Sequence, residues 1–386
     1  MKPLQNYSFI RGVNYDHITG EEIIRRDLGY AARIGLNSIR VWLVYRYYRE
    51  NPEAYMDKLL RFMRSCGEAN FTVMPILFNG NGLDPAFLEE SFLSEGEAYV
   101  RHVVSTIKNE PNLIMWDIMN EPPCNDLILR AASQEEKDGW YAKIWRFVRH
   151  FCRFVRSLDG ENAITVGNWL AVDIENSADL VDIISYHDYS PTLKGVREAA
   201  ELALSMGKKY GKPVINNETC CIARGNPYDT VIQTMDEYGI PWYVFNLMID
   251  GYWSEVHGIF YPDGTIRDPS IVAAVLGCFR NRNLETIVPE KPNREKQAAE
   301  ALEKLKDVLS DSQSDVFSYG GPKVEELLEI CEHMANLLEC GQLVAMQIPP
   351  TARIADFRKQ EKPNLLEIKR FAWNLANQLK EGCQIL

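Results

Sequence analysis

Two glutamates stand where strand-like runs end: Glu121 closes NLIMWDIMNE, which begins at residue 112, and Glu218 closes the apolar part of KPVINNETC, which begins at 212. Two carboxyls held about 5 Å apart at one opening can cleave an acetal by double displacement. One attacks carbon; the other protonates the departing oxygen and later activates water. Proton supply at neutral pH requires the second carboxyl to have a raised pKa. An apolar setting and the charge of its partner both push it that way. A single rim glutamate more simply caps a strand or forms an ion pair, so the signal lies in the pair.

The neighbouring residue types suit the same chemistry. Asn120 is a neutral amide that can hydrogen-bond a sugar hydroxyl without disturbing the proton balance. Because strand neighbours face opposite ways, Asn120 and Glu121 serve one pocket only if the backbone kinks there, and Pro122 with Pro123 supplies a stiff break just after. Arg40, in NSIRVWLVY, is expected to hold Glu218 ionised through a bidentate contact, its plainer reading being a structural ion pair. His187 and Tyr189 in SYHDY are two apart and share a face, so the phenol can steady the nucleophile. Trp42, Tyr45, Trp169, Tyr252 and Trp253 collect near the expected rim, and flat apolar faces with polar edges match pyranose rings. Each taken singly reads as packing. The other histidines, at 17, 102, 150, 257 and 333, form no HxH or HExxH cluster, which disfavours a metal-dependent barrel hydrolase.

These residues need a scaffold that brings distant segments to one mouth. From residue 9 to about 280, eight β-branched or aromatic runs alternate with helix patterns. Several runs are apolar nearly throughout, as expected of strands covered on both sides. TGEEIIRRDLGYAARIG predicts a helix capped by Thr19 and stopped at Gly35, and Trp145, Val148, Cys152 and Val155 form one apolar helix stripe. The link between the fifth and sixth runs is short and poorly helical, so one unit is expected to be degenerate. With no GxGxxG or GxxxxGK[ST] after any strand, a closed parallel barrel is favoured over a nucleotide-binding sheet. In such barrels reactive groups gather at the C-terminal ends of strands, where both glutamates fall. After about residue 280 the texture becomes Pro-punctuated and then helical, with Val324, Leu327, Leu328, Cys331, Met334, Leu337 and Leu338 at helical spacing. The expected organisation is α/β: a (β/α)₈ barrel over 1–280 and a C-terminal helical region over 281–386.

Composition narrows the partners. The chain has 386 residues and a net charge of −12, which repels nucleic acid and anionic membranes and suits neutral ligands. No apolar run is long enough for a spanning helix, and MKPLQNYSFIRG lacks a signal-peptide core. Nine cysteines without regular spacing point to reduced thiols in the cytoplasm, or to an exported protein whose leader has been removed. Adjacent Cys220 and Cys221 read as small buried fillers rather than redox groups.

Taken together, Asn120-Glu121-Pro122 on the fourth run, Glu218 after KPV on the seventh, RGVNY on the first, Arg40 in IRVW on the second, and His187 with Tyr189 on the sixth resemble the clan A retaining glycoside hydrolases. The likeness is to the cellulase-like and mannanase-like family 5 enzymes and covers roughly residues 9 to 280. It implies a (β/α)₈ fold, Glu121 as acid/base, Glu218 as nucleophile, Arg40 and Tyr189 orienting Glu218, and Asn120 touching the hydroxyl beside the anomeric carbon. Two positions depart from that pattern. Phe245 or Asn246 stands where the eighth run usually ends in Trp, with Trp253 further on, and PILFNGN lacks the histidine of many cellulase-like members, leaving Asn79 a polar role. The expectation is a retaining β-glycosidase without metal or organic cofactor, acting on a β-mannoside, β-glucoside or related neutral sugar. A non-catalytic carbohydrate-binding or scaffolding barrel and a transglycosylase using the same pair are the alternatives. The C-terminal helices are expected to pack on the barrel or on a second copy of the chain.

Overall fold

The structure, a computed structural model, describes residues 4, 6–16, 18–250, 256–280, 294–310, 324–339 and 350–385. The chain divides into two compact units, Met1–Arg280 and Asn281–Leu386.

In the first unit eight strands close into a barrel: β1 (Arg11–Tyr15), β2 (Ser38–Trp42), β3 (Thr72–Asn79), β4 (Met115–Asn120), β5 (Ala163–Asn168), β6 (Ile184–Asp188), β7 (Val214–Thr219) and β8 (Trp242–Val244). Every pairing is parallel, and β8 returns to β1. The connections carry α1 (Glu21–Arg33), α2 (Tyr45–Glu50), α3 (Pro52–Glu68), α4 (Glu90–Ile107), α5 (Asp126–Leu129), α6 (Gln134–Leu158), α7 (Leu193–Tyr210) and α8 (Tyr228–Tyr238), with α9 (Pro269–Val275) after β8. Between β5 and β6 there is a 3₁₀ turn, Ala171–Asn176, in place of a helix. This is the (β/α)₈ barrel that the alternating runs predict, including its degenerate fifth unit.

Strands β4 and β5 are buried at every residue, which is why their sequences lack the polar alternation of a half-exposed sheet. The expected α6 stripe of Trp145, Val148, Cys152 and Val155 is buried against the barrel. One local expectation fails. Thr19 does not cap α1; its Oγ1 lies 2.9 Å from the Tyr15 hydroxyl, and the helix starts after Gly20 with acidic Glu21 and Glu22 in its first turn. The tie to Tyr15 draws the hydroxyl away from the helix amides, and the charge of the two acids favours the helix start instead.

Inside the staves, Ile10, Ile114, Met115, Ala163 and Ile183 fill the N-terminal end with apolar side chains. Hydroxyls then tie strand to strand: Ser38 Oγ is 2.7 Å from the Tyr243 hydroxyl, Thr72 Oγ1 donates to Ser38 Oγ at 2.8 Å, and Thr165 Oγ1 to Ser185 Oγ at 3.0 Å. These satisfied polar groups make the step from an apolar plug to a charged layer above it.

The second unit has its own core. Among the described residues it contains α10 (Arg294–Ser310), α11 (Val324–Glu339), α12 (Pro350–Arg358) and α13 (Leu365–Ile385). Leu327, Leu328, Cys331, Met334 and Leu338 of α11 pack with Leu305, Phe357, Ile368 and Leu375, while Val324, Leu337 and Phe371 are partly buried against them. The helical spacing read from the sequence is therefore the buried face.

Gly12 marks how tightly the barrel interior is filled. A Cβ there would lie 2.2 Å from a ring carbon of Tyr243, whose ring is fully buried and anchored through Ser38. Gly12→Ala is expected to destabilise the barrel by at least the roughly 1–3 kcal/mol of an overpacked core, measured by thermal or denaturant unfolding. An unchanged midpoint would contradict that packing.

Candidate active site

The site is built around a guanidinium. Arg40 points inward from β2 and is fully buried. Its Nε donates to Asp117 Oδ2 at 3.0 Å, its Nη1 to Asn14 Oδ1 at 2.9 Å and to Glu218 Oε2 at 2.8 Å, and its Nη2 to Asn120 Oδ1 at 2.7 Å. The expected bidentate grip on Glu218 is thus a single hydrogen bond. The remaining donors of the fork are taken by Asp117 and two asparagines, because one carboxylate cannot satisfy a cation withdrawn from water on all sides. Burial would push Arg40 down, but Asp117 and Glu218 more than reverse this and hold it protonated.

Asp117 escaped the sequence reading. It lies inside the apolar run WDIMNE, and an acid in a fully buried strand is itself the signal that it has a buried partner. Its other oxygen accepts from the Gly167 backbone N–H at 2.9 Å, and Oδ2 also accepts from Asn217 Nδ2 at 3.0 Å.

Glu218, the penultimate residue of β7, has Oε1 accepting from the Tyr189 hydroxyl at 2.9 Å, opposite the Arg40 contact on Oε2. Burial and the two nearby carboxyls raise the Tyr189 phenol well above its usual value, so it stays a donor. Glu121 directly follows β4. There the β4–β5 register slips between Asp117 and Asn120, and Glu121 itself has φ +44. Such a left-handed non-glycine costs roughly 1–3 kcal/mol and persists only when fixed by its surroundings. Two short backbone bonds fix it: Glu121 N–H to Gly167 O and Gly80 N–H to Asn120 O, both 2.7 Å. The kink needed for Asn120 and Glu121 to face one cavity is therefore present, formed by the bulge and by Glu121's own backbone ahead of the two prolines.

Glu121 is surrounded differently from Glu218. Its Oε2 accepts from Asn81 Nδ2 at 2.8 Å and its Oε1 lies 2.8 Å from His187 Nδ1; Cys124 also hydrogen-bonds it. Burial raises this carboxyl above the usual range, and the Asn81 bond and the more distant Arg40 charge only partly offset the rise. Burial also pushes the His187 imidazole down to about 4, against the pull of Glu218, so at neutral pH the ring carries no charge. At the 2.8 Å contact a neutral His187 Nδ1 can either donate to the Glu121 carboxylate or accept from its protonated form, according to tautomer.

The cavity above these groups has a volume of about 610 Å³. It is lined by Glu121, Glu218, Asn120, Asn79, Tyr189, Trp42 and Trp169, as the sequence suggests, and also by Asn81, Cys124, Arg224, Phe245 and His257. Asn79 Oδ1 accepts from Asn120 Nδ2 at 3.0 Å. Arg40 and His187 lie beneath the cavity against the carboxylates rather than opening onto it. Tyr45 is not at the rim: it packs among Tyr48, Phe87, Phe92 and Tyr99 and bonds Glu95. At the end of β8, Phe245 lines the wall edge-on to Trp42, with ring centroids 5.7 Å apart. Tyr252 and Trp253 lie outside the described residues.

Single donor atoms of Glu121, His187 and Glu218 all fall within 4.8 Å of one another. By distance alone this trio could hold a cation. Arg40 already places a buried positive charge on Glu218, so a metal ion there would meet like charge in a poorly screened setting.

Comparison with known proteins gives the same frame. Human β-glucuronidase is 27% identical over 190 residues, 46% of this chain but 26% of that protein, and the Pongo abelii enzyme matches equally. The chain therefore spans about a quarter of the length of these curated relatives. Among solved structures, the endo-β-1,4-mannanase from Thermotoga petrophila superposes with a TM-score of 0.54 at 16% identity, covering 71% of this chain and 76% of that one. An exo-β-1,4-mannosidase from Opitutaceae bacterium strain TAV5 gives 0.55 at 14% identity, covering 86% and 75%. At such identities these likenesses concern the fold. The model of the cellulase family, glycosyl hydrolase family 5, matches residues 19–251, well over half of the chain, and the chain accordingly belongs to that family.

Proposed function

We propose that the protein is a glycoside hydrolase that cleaves a β-glycosidic bond with retention of configuration, Glu218 acting as nucleophile and Glu121 as acid and then base. The observation that carries this reading is the separation of the two carboxyls: an oxygen of each lies within 4.8 Å of the other. Retaining pairs stand about 5–5.5 Å apart, whereas inverting pairs need roughly 6.5–9.5 Å to admit a water between them.

The surroundings divide the two roles. Glu218 is held by the Arg40 guanidinium on one oxygen and the Tyr189 phenol on the other, which orients it toward the anomeric carbon. Glu121, buried among neutral groups, holds a proton to higher pH and gives it to the leaving oxygen. When Glu218 becomes esterified its charge disappears and Glu121 loses a proton more readily, which suits it to draw one from water in the second step. One hydrogen of Asn120 Nδ2 is given to Asn79, leaving the other for the hydroxyl beside the anomeric carbon. Trp42, Trp169 and Phe245 offer apolar faces to a pyranose ring. The sugar is a β-linked glucoside or mannoside, or the glucuronide for which the curated relatives are named.

Three outcomes are expected. Incubation with activated 2-fluoro-glycosides followed by peptide mass analysis should give a covalent adduct on the peptide bearing Glu218, and Glu218→Ala should abolish turnover; an adduct elsewhere would reject the assignment. Glu121→Ala should lose about 10²–10⁴-fold on substrates whose leaving group needs a proton and far less on activated aryl glycosides. Equal loss on both would argue against Glu121 as the acid. Finally, kcat/KM should fall on the alkaline side as Glu121 deprotonates, at a pH above the ordinary carboxyl value of about 4.3 because its pKa is raised. With an activated substrate that limb should vanish in Glu121→Gln.

A further inference from the structure

Arg224 is a second guanidinium at the cavity, and its situation is unlike that of Arg40. It ends a short turn, Ile222–Arg224, that follows β7 and reverses at Gly225 with φ +65. It lines the cavity together with both glutamates. Among the described residues no carboxylate lies within ion-pair distance of it. Its contact is the face of Tyr189, with Cζ 4.4 Å from the ring centroid. The hydroxyl of that same ring is bonded to Glu218, so a single phenol separates the guanidinium from the proposed nucleophile. A guanidinium over an aromatic face makes an attractive cation–π contact that uses none of its five N–H donors as a hydrogen bond. The planar fork of an arginine lining a sugar-sized cavity matches a carboxylate or phosphate far better than a neutral hydroxyl, which can accept from only part of it.

We infer that Arg224 binds an anionic substituent on the sugar that occupies the cavity, so that the substrate is a uronide or another acidic β-glycoside. This rests on the hydrolase reading above and names its substrate class. It also departs from the neutral sugar suggested by the chain's net charge of −12. Net charge sets the field far from the protein, whereas an exposed guanidinium at the cavity rim, with no ion-pair partner among the described residues, adds positive charge where the sugar would sit.

The test compares full-length protein on 4-nitrophenyl β-D-glucuronide, β-D-glucoside, β-D-mannoside and 6-phospho-β-D-glucoside, which share one leaving group. Calorimetric titration with D-glucuronate, D-glucose and glucose 6-phosphate runs in parallel. Native protein should favour an acidic over a neutral glycoside in kcat/KM. That ratio should fall at least tenfold in Arg224→Gln and recover in part in Arg224→Lys. Preference for the glucuronide assigns a carboxylate, and preference for the 6-phosphate a phosphate; either supports the inference. A native ratio of one or below, or a ratio unmoved by Arg224→Gln, overturns it while leaving the hydrolase reading intact. Should no glycoside be turned over, the hydrolase reading falls, and the titrations still decide. Acidic sugars bound by native protein and lost in Arg224→Gln support the Arg224 site, and equal binding of glucose and glucuronate rejects it.

Discussion

A cation with no access to water organises the upper half of the barrel. Arg40 cannot shed its proton, and withdrawing a charge from solvent is costly enough that its neighbours are dictated by that fact. Asp117 balances it from β4, Glu218 from β7, and the amides of Asn14 and Asn120 take the donors that remain. Four strands are thereby joined at one point. Removing one partner of such a buried pair typically costs about 3–5 kcal/mol, because the survivor is left charged and unmatched. The arrangement also fixes Glu218 geometrically: one oxygen is held by the guanidinium, the other by Tyr189, and the carboxylate plane has little freedom left.

From that fixed point the asymmetry of the two glutamates follows. Both are nearly buried, yet a guanidinium is hydrogen-bonded to one, while the side chains bonded to the other are neutral. Glu121 meets the amide of Asn81, the thiol of Cys124 and an imidazole that burial keeps neutral. Two chemically identical side chains within 4.8 Å thus meet different surroundings, and burial raises the pKa of Glu121. Neither environment could be exchanged for the other without moving Arg40 across the barrel.

Much of this was legible in the sequence. Eight apolar runs with helix patterns between them specify a parallel barrel, because strands covered on both faces need no polar alternation, and reactive groups in such a barrel belong at strand ends. Glu121, Glu218, Arg40, Asn120 and Tyr189 were visible for that reason. What stayed hidden depends on backbone geometry that side-chain identity does not encode. The bulge before Glu121 and its positive φ decide that adjacent residues share a cavity, and the register shifts at β6–β7 and β7–β8 do the equivalent for the β7 end. Asn81 and Arg224 lie on loops, where spacing carries no periodic signal. Tyr45 misled for the opposite reason: an aromatic shortly after a strand end can as well turn outward to a helix-layer cluster, and it does.

The site also depends on where side chains are missing. A Cβ on Gly167 would lie 2.6 Å from Arg40 Nη2, 3.0 Å from Asp117 Oδ2 and 3.2 Å from His187 Nε2. A Cβ on Gly80 would lie 2.0 Å from the Glu121 carbonyl oxygen. The first glycine leaves room for the charge network; the second lets β3 approach closely enough to bond the kinked backbone at Asn120. Neither needs a positive φ, so neither is a glycine for conformational reasons. Both are spaces kept empty so that the buried guanidinium and the twisted end of β4 can coexist within one barrel.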